Sequence, residues 1–251
     1  MKHSTFLSLP LLAVVFACLA SCGSQENKSG TETSTDSTSS TTTASTPATS
    51  NANASTISTT PQDMMVVMHK VADFNKWKMT YDAGDSMRLA HGLHSFVIAR
   101  GVNDSNMVMV VNKADDIKKA KEFAKSPGLK EAMHKAGVTV PPQICFVTAT
   151  WQDTGNISAA IRSLTTFKVK DPATWQKTFD STKQIRTDNG LVDRFVGHDA
   201  DDNHKISLVL AVSDTAKAQA FWKSDQLKKI RAASSTIGEP ERFIYRIAQR
   251  Y

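Results

Sequence analysis

Six residues have the types and positions to orient a small ligand: Trp77, Tyr81, Arg88, Arg186, His69 and His94. Phe74, Trp77, Tyr81 and Arg88 fall near multiples of the helical repeat, on one stripe, and Trp175, Phe179 and Arg186 write the stripe again. The simplest role for the aromatics is core. An Arg ending an apolar stripe is different, because an unpaired buried guanidinium is costly. It can hold a ligand carboxylate, pair with an acid of its own domain, or reach water while favouring the helix C-terminus. The first copy of the stripe has Tyr81, His69 and His94 where the second has Phe179, Phe167 and Val192. Any ligand is therefore expected in the first copy, unless these polar groups face solvent or satisfy one another.

Other chemistries lack their residues. His91, His94, His69 and His134 have no His at the matching positions, and no HExxH, Cys cluster or carboxylate-rich set accompanies them, so no metal is expected. Nothing in the spacing supplies a Ser/His/Asp arrangement, a phosphate-cradling Gly loop or a nucleotide fingerprint, so no cofactor is expected either, and whether the chain is an enzyme stays open. Cys145, in the strand-like run "QICFVTA", reads as a small buried hydrophobe.

The N-terminus predicts an anchor. Lys2 and His3 precede an apolar run from Phe6 to Ala20, too short to span a bilayer as a mature helix. It closes on "LASC", Leu19 to Cys22, which resembles the bacterial lipoprotein lipobox. That resemblance implies a signal peptide over residues 1–21 and lipid on Cys22, enough for stable membrane attachment. With Gly23 where the sorting rule of such lipoproteins has Asp for inner-membrane retention, the same resemblance implies the cell envelope's outer membrane, on its periplasmic or surface face. Residues 22–63 are mostly Ser, Thr, Ala, Asn and Gln with a single Ile, a composition that predicts a disordered tether. Its root-mean-square span would be about 35 Å.

Charge and repetition describe the rest. Of 30 Lys and Arg and 24 acids in 251 residues, 28 and 20 lie from residue 64 onward, a net +8. The Lys are scattered over helical patterns such as "IKKAKEFAK", without the interleaved aromatics of a nucleic-acid surface, so no nucleic-acid partner is expected. Shifting the sequence by 98 aligns residues 64–150 with 162–248 without a gap, and about twenty pairs are identical, against roughly five by chance. Two repeats result, 64–153 and 154–251. Each reads as a strand, a helix opened by Asp73 or Asp171 and closed by Gly92 or Gly190, a strand hairpin, a second helix from Asp116 or Asp214 interrupted at "SPG" or "SDQ", and a last strand. That order, β-α-β-β-α-β, is ferredoxin-like, an α+β class.

A single such unit leaves one sheet face uncovered, and a second copy covers it. The "F-x-x-W" helix start and the "AKxFxxSxxLK" second helix resemble the dimeric α/β-barrel superfamily, which includes antibiotic biosynthesis monooxygenase-like domains. The resemblance implies an intramolecular pseudo-dimer and hence a monomer. In the superfamily's haem-degrading branch a strand Asn, a strand Trp and a helix His surround the cofactor; here the Trp residues are expected on helices, leaving His134 alone to fit. Three functions remain: a lipid-anchored module binding a small, partly apolar or anionic molecule, a cofactor-independent monooxygenase, or a structural protein with a filled barrel. A cavity of a few hundred Å³ would favour the first two.

Overall fold

Residues 55–251 are described by the computed structural model of the chain; the stretches expected to be a signal peptide (1–21) and, as far as residue 54, a lipidated Cys22 with its tether lie outside the described residues. The first repeat runs β2 (Gln62–Lys70), α1 (Phe74–Ala83), α2 (Asp85–Leu89), β3 (Leu93–Gly101), β4 (Met107–Ala114), α3 (Ile117–Ala124), α4 (Pro127–Lys135) and β5 (Gln143–Asp153). The second runs β6 (Ile161–Val169), α5 (Pro172–Ser181), α6 (Lys183–Asp188), β7 (Leu191–Asp199), β8 (Lys205–Val212), α7 (Thr215–Trp222), α8 (Asp225–Ala233) and β9 (Thr236–Arg250). A short β1 (Ile57–Ser58) precedes both. Asp73, Asp171, Asp116 and Asp214 each accept backbone N–H bonds at a helix start, and Ser126 and Ser224 do the same where the second helix resumes. Gly92 and Gly190 have φ of +67° and +70°, a conformation that costs glycine little. Among the described residues no helix is long and apolar enough to cross a membrane.

The strands form one antiparallel sheet in the order β1-β5-β2-β4-β3-β9-β6-β8-β7, and β5 also pairs with β7, which closes β2 to β9 into a barrel. Each repeat supplies four consecutive strands, with its own last strand sealed against the other repeat's hairpin. The register repeats too. Met64 faces Lys113 and Val147, and Arg162 faces Ala211 and Tyr245, each pair shifted by 98. Both hairpins carry a β-bulge at the same place, at Phe96 and at Arg194. The fold is two tandem ferredoxin-like units closed into an intramolecular α/β barrel.

The core lies in three layers. One apolar cluster fills the space between the first repeat's helices and its strands, a second does so in the other repeat, and a third lies inside the barrel around Val97, Ala99, Met109 and Tyr245. Period-2 alternation assigns each strand residue to one layer or the other.

Two details differ from the sequence reading. The first helix of each repeat breaks, at Gly84 and at Thr182, because the guanidinium of Arg88 takes the Tyr81 carbonyl at 2.7 Å and that of Arg186 takes the Phe179 carbonyl at 2.6 Å. The folded chain also starts inside the stretch assigned to the tether. Ile57 and Ser58 pair with Asp153 and Gln152, and Thr56 donates its hydroxyl to Asp153 at 2.7 Å. Backbone pairing on a sheet edge needs little apolar surface, so composition does not reveal it.

Candidate functional site

The interior of the barrel holds a cavity of about 380 Å³, within the range of small-molecule sites. Its lining follows strand parity. From the first repeat come Met64, Val66 and Met68 of β2, Phe96 of β3 and Met109 of β4. From the second come Arg162, Leu164 and Thr166 of β6, Arg194 of β7 and Ser207 of β8. Paired across the repeat, Met64 answers to Arg162, Phe96 to Arg194, Met68 to Thr166 and Met109 to Ser207. The wall from the first repeat is mainly apolar, and that from the second carries most of the polar groups beside Leu164, Val209 and Phe243.

The polar wall is cationic at one end. Arg162 at the start of β6, Arg194 at the bulge of β7 and Arg250 at the end of β9 line the same end of the cavity, with Tyr245 in register opposite Arg162 and Gln152 close to the end of β5. On the first repeat, Lys113 Nζ lies 4.5 Å from the centre of the ring of Phe96, a lining residue. Asp153 is the carboxylate there, and it binds Arg194 at 2.8 Å. Arg194 also donates to the Gly155 carbonyl, and Arg162 donates from Nη1 to the carbonyls of Ala159 and Ile161. The two guanidiniums thus hold the segment joining the repeats over this end. Burial, opposed by Tyr245 and reinforced by Arg194 and Arg250, lowers the pKa of Arg162 from its ordinary value. At the opposite end Asp199, Lys205 and Glu241 line the cavity, with Lys205 3.5 Å from Asp199.

The six residues singled out by sequence lie elsewhere, and none lines this cavity. Trp77, Tyr81 and His69 belong to the helix-facing layer of the first repeat, Trp77 stacked on Tyr81 at 5.2 Å. Tyr81 shares hydrogen bonds with Ser95 and Asn112 at 2.9 Å each, and burial raises its pKa against the pull of Arg88. Arg88 donates to the Tyr81 carbonyl, Ser95 and Asp85, and lies 3.7 Å from the centre of the Tyr81 ring. Arg186 is held by both oxygens of Asp193 at 2.7 Å and lies over Phe179. It borders a smaller cavity of about 100 Å³ under the second repeat's helices. Of the three uses open to this Arg, the geometry is that of pairing with an acid of its own domain. His94 bonds Asp115 at 2.8 Å on the surface. His69 is 3% exposed, and its two ring nitrogens are the buried side-chain atoms without a partner among the described residues.

The polar groups facing the cavity therefore come mainly from the second repeat, against the expectation of the first. The differences between the copies at Tyr81, His69 and His94 lie outside the cavity, whereas those at Met64/Arg162 and Phe96/Arg194 lie in its wall. Cys145 also departs from its reading as a buried hydrophobe: it is exposed and lines the cavity from β5. Trp151 sits on β5 rather than on a helix, and packs into the outer layer of the second repeat, while His134 is exposed on α4. Among the described residues no His, Cys, Asp or Glu side chains cluster as metal ligands do.

No family model matches the chain, and no curated protein matches it. Among solved structures it is similar to a candidate monooxygenase of Fusobacterium nucleatum subsp. nucleatum, at 12% identity and a TM-score of 0.50, over 75% of this chain and 93% of that one. It is also similar to an anthrone oxidase-like protein, at 12% identity and a TM-score of 0.51, over 76% of this chain and 92% of that one. At such identity the likeness concerns the fold, the ferredoxin-like type of those proteins.

Proposed function

We propose that this chain is a lipid-anchored cell-envelope protein whose duplicated barrel binds a small, partly apolar, anionic molecule. The observation that carries the binding reading is the cavity of about 380 Å³, largely apolar in its lining and cationic at one end. Such a volume is a poor fit to a structural protein with a filled barrel. An apolar pocket with a few placed polar groups is the usual construction of a ligand site. Native mass spectrometry of the chain purified from its own host should show a small molecule that organic extraction removes. A chain free of adduct that also leaves anilinonaphthalene sulfonate fluorescence unchanged would overturn the reading.

Anchoring rests on "LASC" and its Cys22. Cys22→Ser should leave the protein folded and move it from the membrane to the soluble fraction; a variant that still sediments with membranes would remove the lipobox from the argument.

A second reading is favoured by the descriptions of the two fold neighbours. In a cofactor-independent oxygenation the substrate itself activates oxygen, and the protein contributes a dry, shaped pocket. Oxygen uptake with an anthrone as substrate, at a rate above that of the substrate alone, would decide for it.

A further inference from the structure

Four arginines of this fold are buried: Arg88, Arg162, Arg186 and Arg194. Three have a carboxylate of the chain, at 3.1 Å from Asp85, 2.7 Å from Asp193 and 2.8 Å from Asp153. Arg162, 5% exposed, has none among the described residues. Both hydrogen bonds it makes there leave from Nη1, so Nε and Nη2 have no acceptor among the described residues, and they are not among the sealed, partnerless atoms of the core, on a side chain that lines the cavity. A buried guanidinium is retained at a cost unless something compensates its charge.

The other repeat shows that the fold does not require it. Met64 occupies the equivalent position in the same register, facing the same cavity. Around Arg162 the charges compound the need: Arg194 and Arg250 line the same end, and Asp153 is already engaged by Arg194. Away from this end the wall turns apolar through Val66, Leu164, Val209 and Phe243.

We infer that Arg162, with Arg250 and the phenol of Tyr245, forms the seat of a carboxylate carried on an apolar body, the body lying along the first repeat's wall toward Met68 and Met109. The inference rests on the binding function proposed above and adds to it the chemical class and the direction of the ligand. A planar guanidinium offering two free N–H groups suits a carboxylate, and the low local dielectric strengthens the bond. The cationic end of the cavity thus receives the head, and the apolar lining shared by Val66, Met68, Met109, Leu164 and Val209 receives the tail.

Octanoate and 1-octanol share a tail and differ in the head, so calorimetric titration of the purified full chain with each separates the two ideas. Octanoate should bind about tenfold tighter than 1-octanol or better, a difference typical of a charge-assisted hydrogen bond. Arg162→Met, which installs the residue of the other repeat, should reduce octanoate to the level of 1-octanol and leave 1-octanol unchanged, while Arg162→Lys should keep part of the preference. Equal affinity of the unmutated chain for the two compounds would overturn the carboxylate seat and leave the cavity function standing. Failure of both to bind would remove the cavity function itself. The acid-to-alcohol ratio of the unmutated chain needs no variant, so a variant that fails to fold does not shield the inference.

Discussion

Met64 and Arg162 occupy one and the same position of the barrel wall, 98 residues apart, each beginning the interior row of its repeat's first strand. The backbone around them is alike in register, and the side chains are opposite in character. A homodimeric barrel would have to place the same residue at both positions. A tandem chain is free of that constraint, and here Met64 and Phe96 of one half stand where the other carries Arg162 and Arg194. Fusion of the two units is what permits a polarised cavity.

The repeated arginines of the helices should prove structural. Arg186→Ala leaves Asp193, whose side chain is 11% exposed, without its partner, and should cost about 3 kcal/mol or more. Arg88→Ala should cost less, about 1–2 kcal/mol, because Asp85 is 51% exposed and can be hydrated. Urea unfolding measures both. Octanoate affinity should be unchanged in each variant; lost affinity with unaltered stability would return this Arg to the ligand site.

His69 predicts an acid-sensitive core. Burial pulls its imidazole from 6.5 down to about 4, so the fold binds fewer protons than the unfolded chain between those values. The stability is complete above the unfolded pKa and is lost as the pH falls toward the folded one, by up to about 3 kcal/mol. Phe167 holds the equivalent place beside Trp175 in the second repeat. His69→Phe should therefore stabilise the chain by roughly 1–2 kcal/mol at neutral pH, by removing two unpaired buried nitrogens. Its advantage should widen at about pH 5. Thermal unfolding at the two pH values tests this, and an advantage that does not widen would mean that the ring is solvated in the fold.

The sequence made the architecture legible because both copies repeat the caps Asp73/Asp171 and Asp116/Asp214 and the glycines Gly92/Gly190 in one order of elements. It did not show which strand face turns inward. "MMVVMHK" is apolar on both parities, since one face meets helices and the other the cavity, so alternation is erased. Arg162 in "IRSLTTFKV" was visible as a cation in a strand, and its parity with Leu164 and Thr166 was the usable signal. Reading it required knowing that Ser163 and Thr165 face the helices. The break in the first helix was hidden for another reason: it depends on an Arg side chain reaching back seven residues to a carbonyl.

The pairing of β1 predicts how far the chain can be shortened. A protein starting at Gln62 retains every strand of the barrel, and β5–β7 and β3–β9 still close it within one chain. Light scattering should show a monomer. It should nevertheless unfold more easily in urea than one starting at Ala52, by about 1–2 kcal/mol, because Asp153 loses the Thr56 hydroxyl and its strand loses an edge partner. An obligate dimer would contradict the intramolecular closure.

Cys145 offers a reporter for the cavity without altering its walls. It is exposed, projects from β5 among the cavity-lining residues, and follows Gln143 on the same strand face. A maleimide should therefore label it in the native protein, at a site identified by peptide mass spectrometry, whereas a thiol sealed in a core would react only after unfolding. Octanoate at about ten times its dissociation constant leaves roughly a tenth of the sites free. If the apolar body lies along the barrel interior, labelling should slow by a comparable factor, and 1-octanol at equal occupancy should protect as well because it shares the tail. A labelling rate untouched by bound octanoate would place the ligand outside the barrel, and the cationic wall would then have to be explained as support for the segment that joins the two repeats.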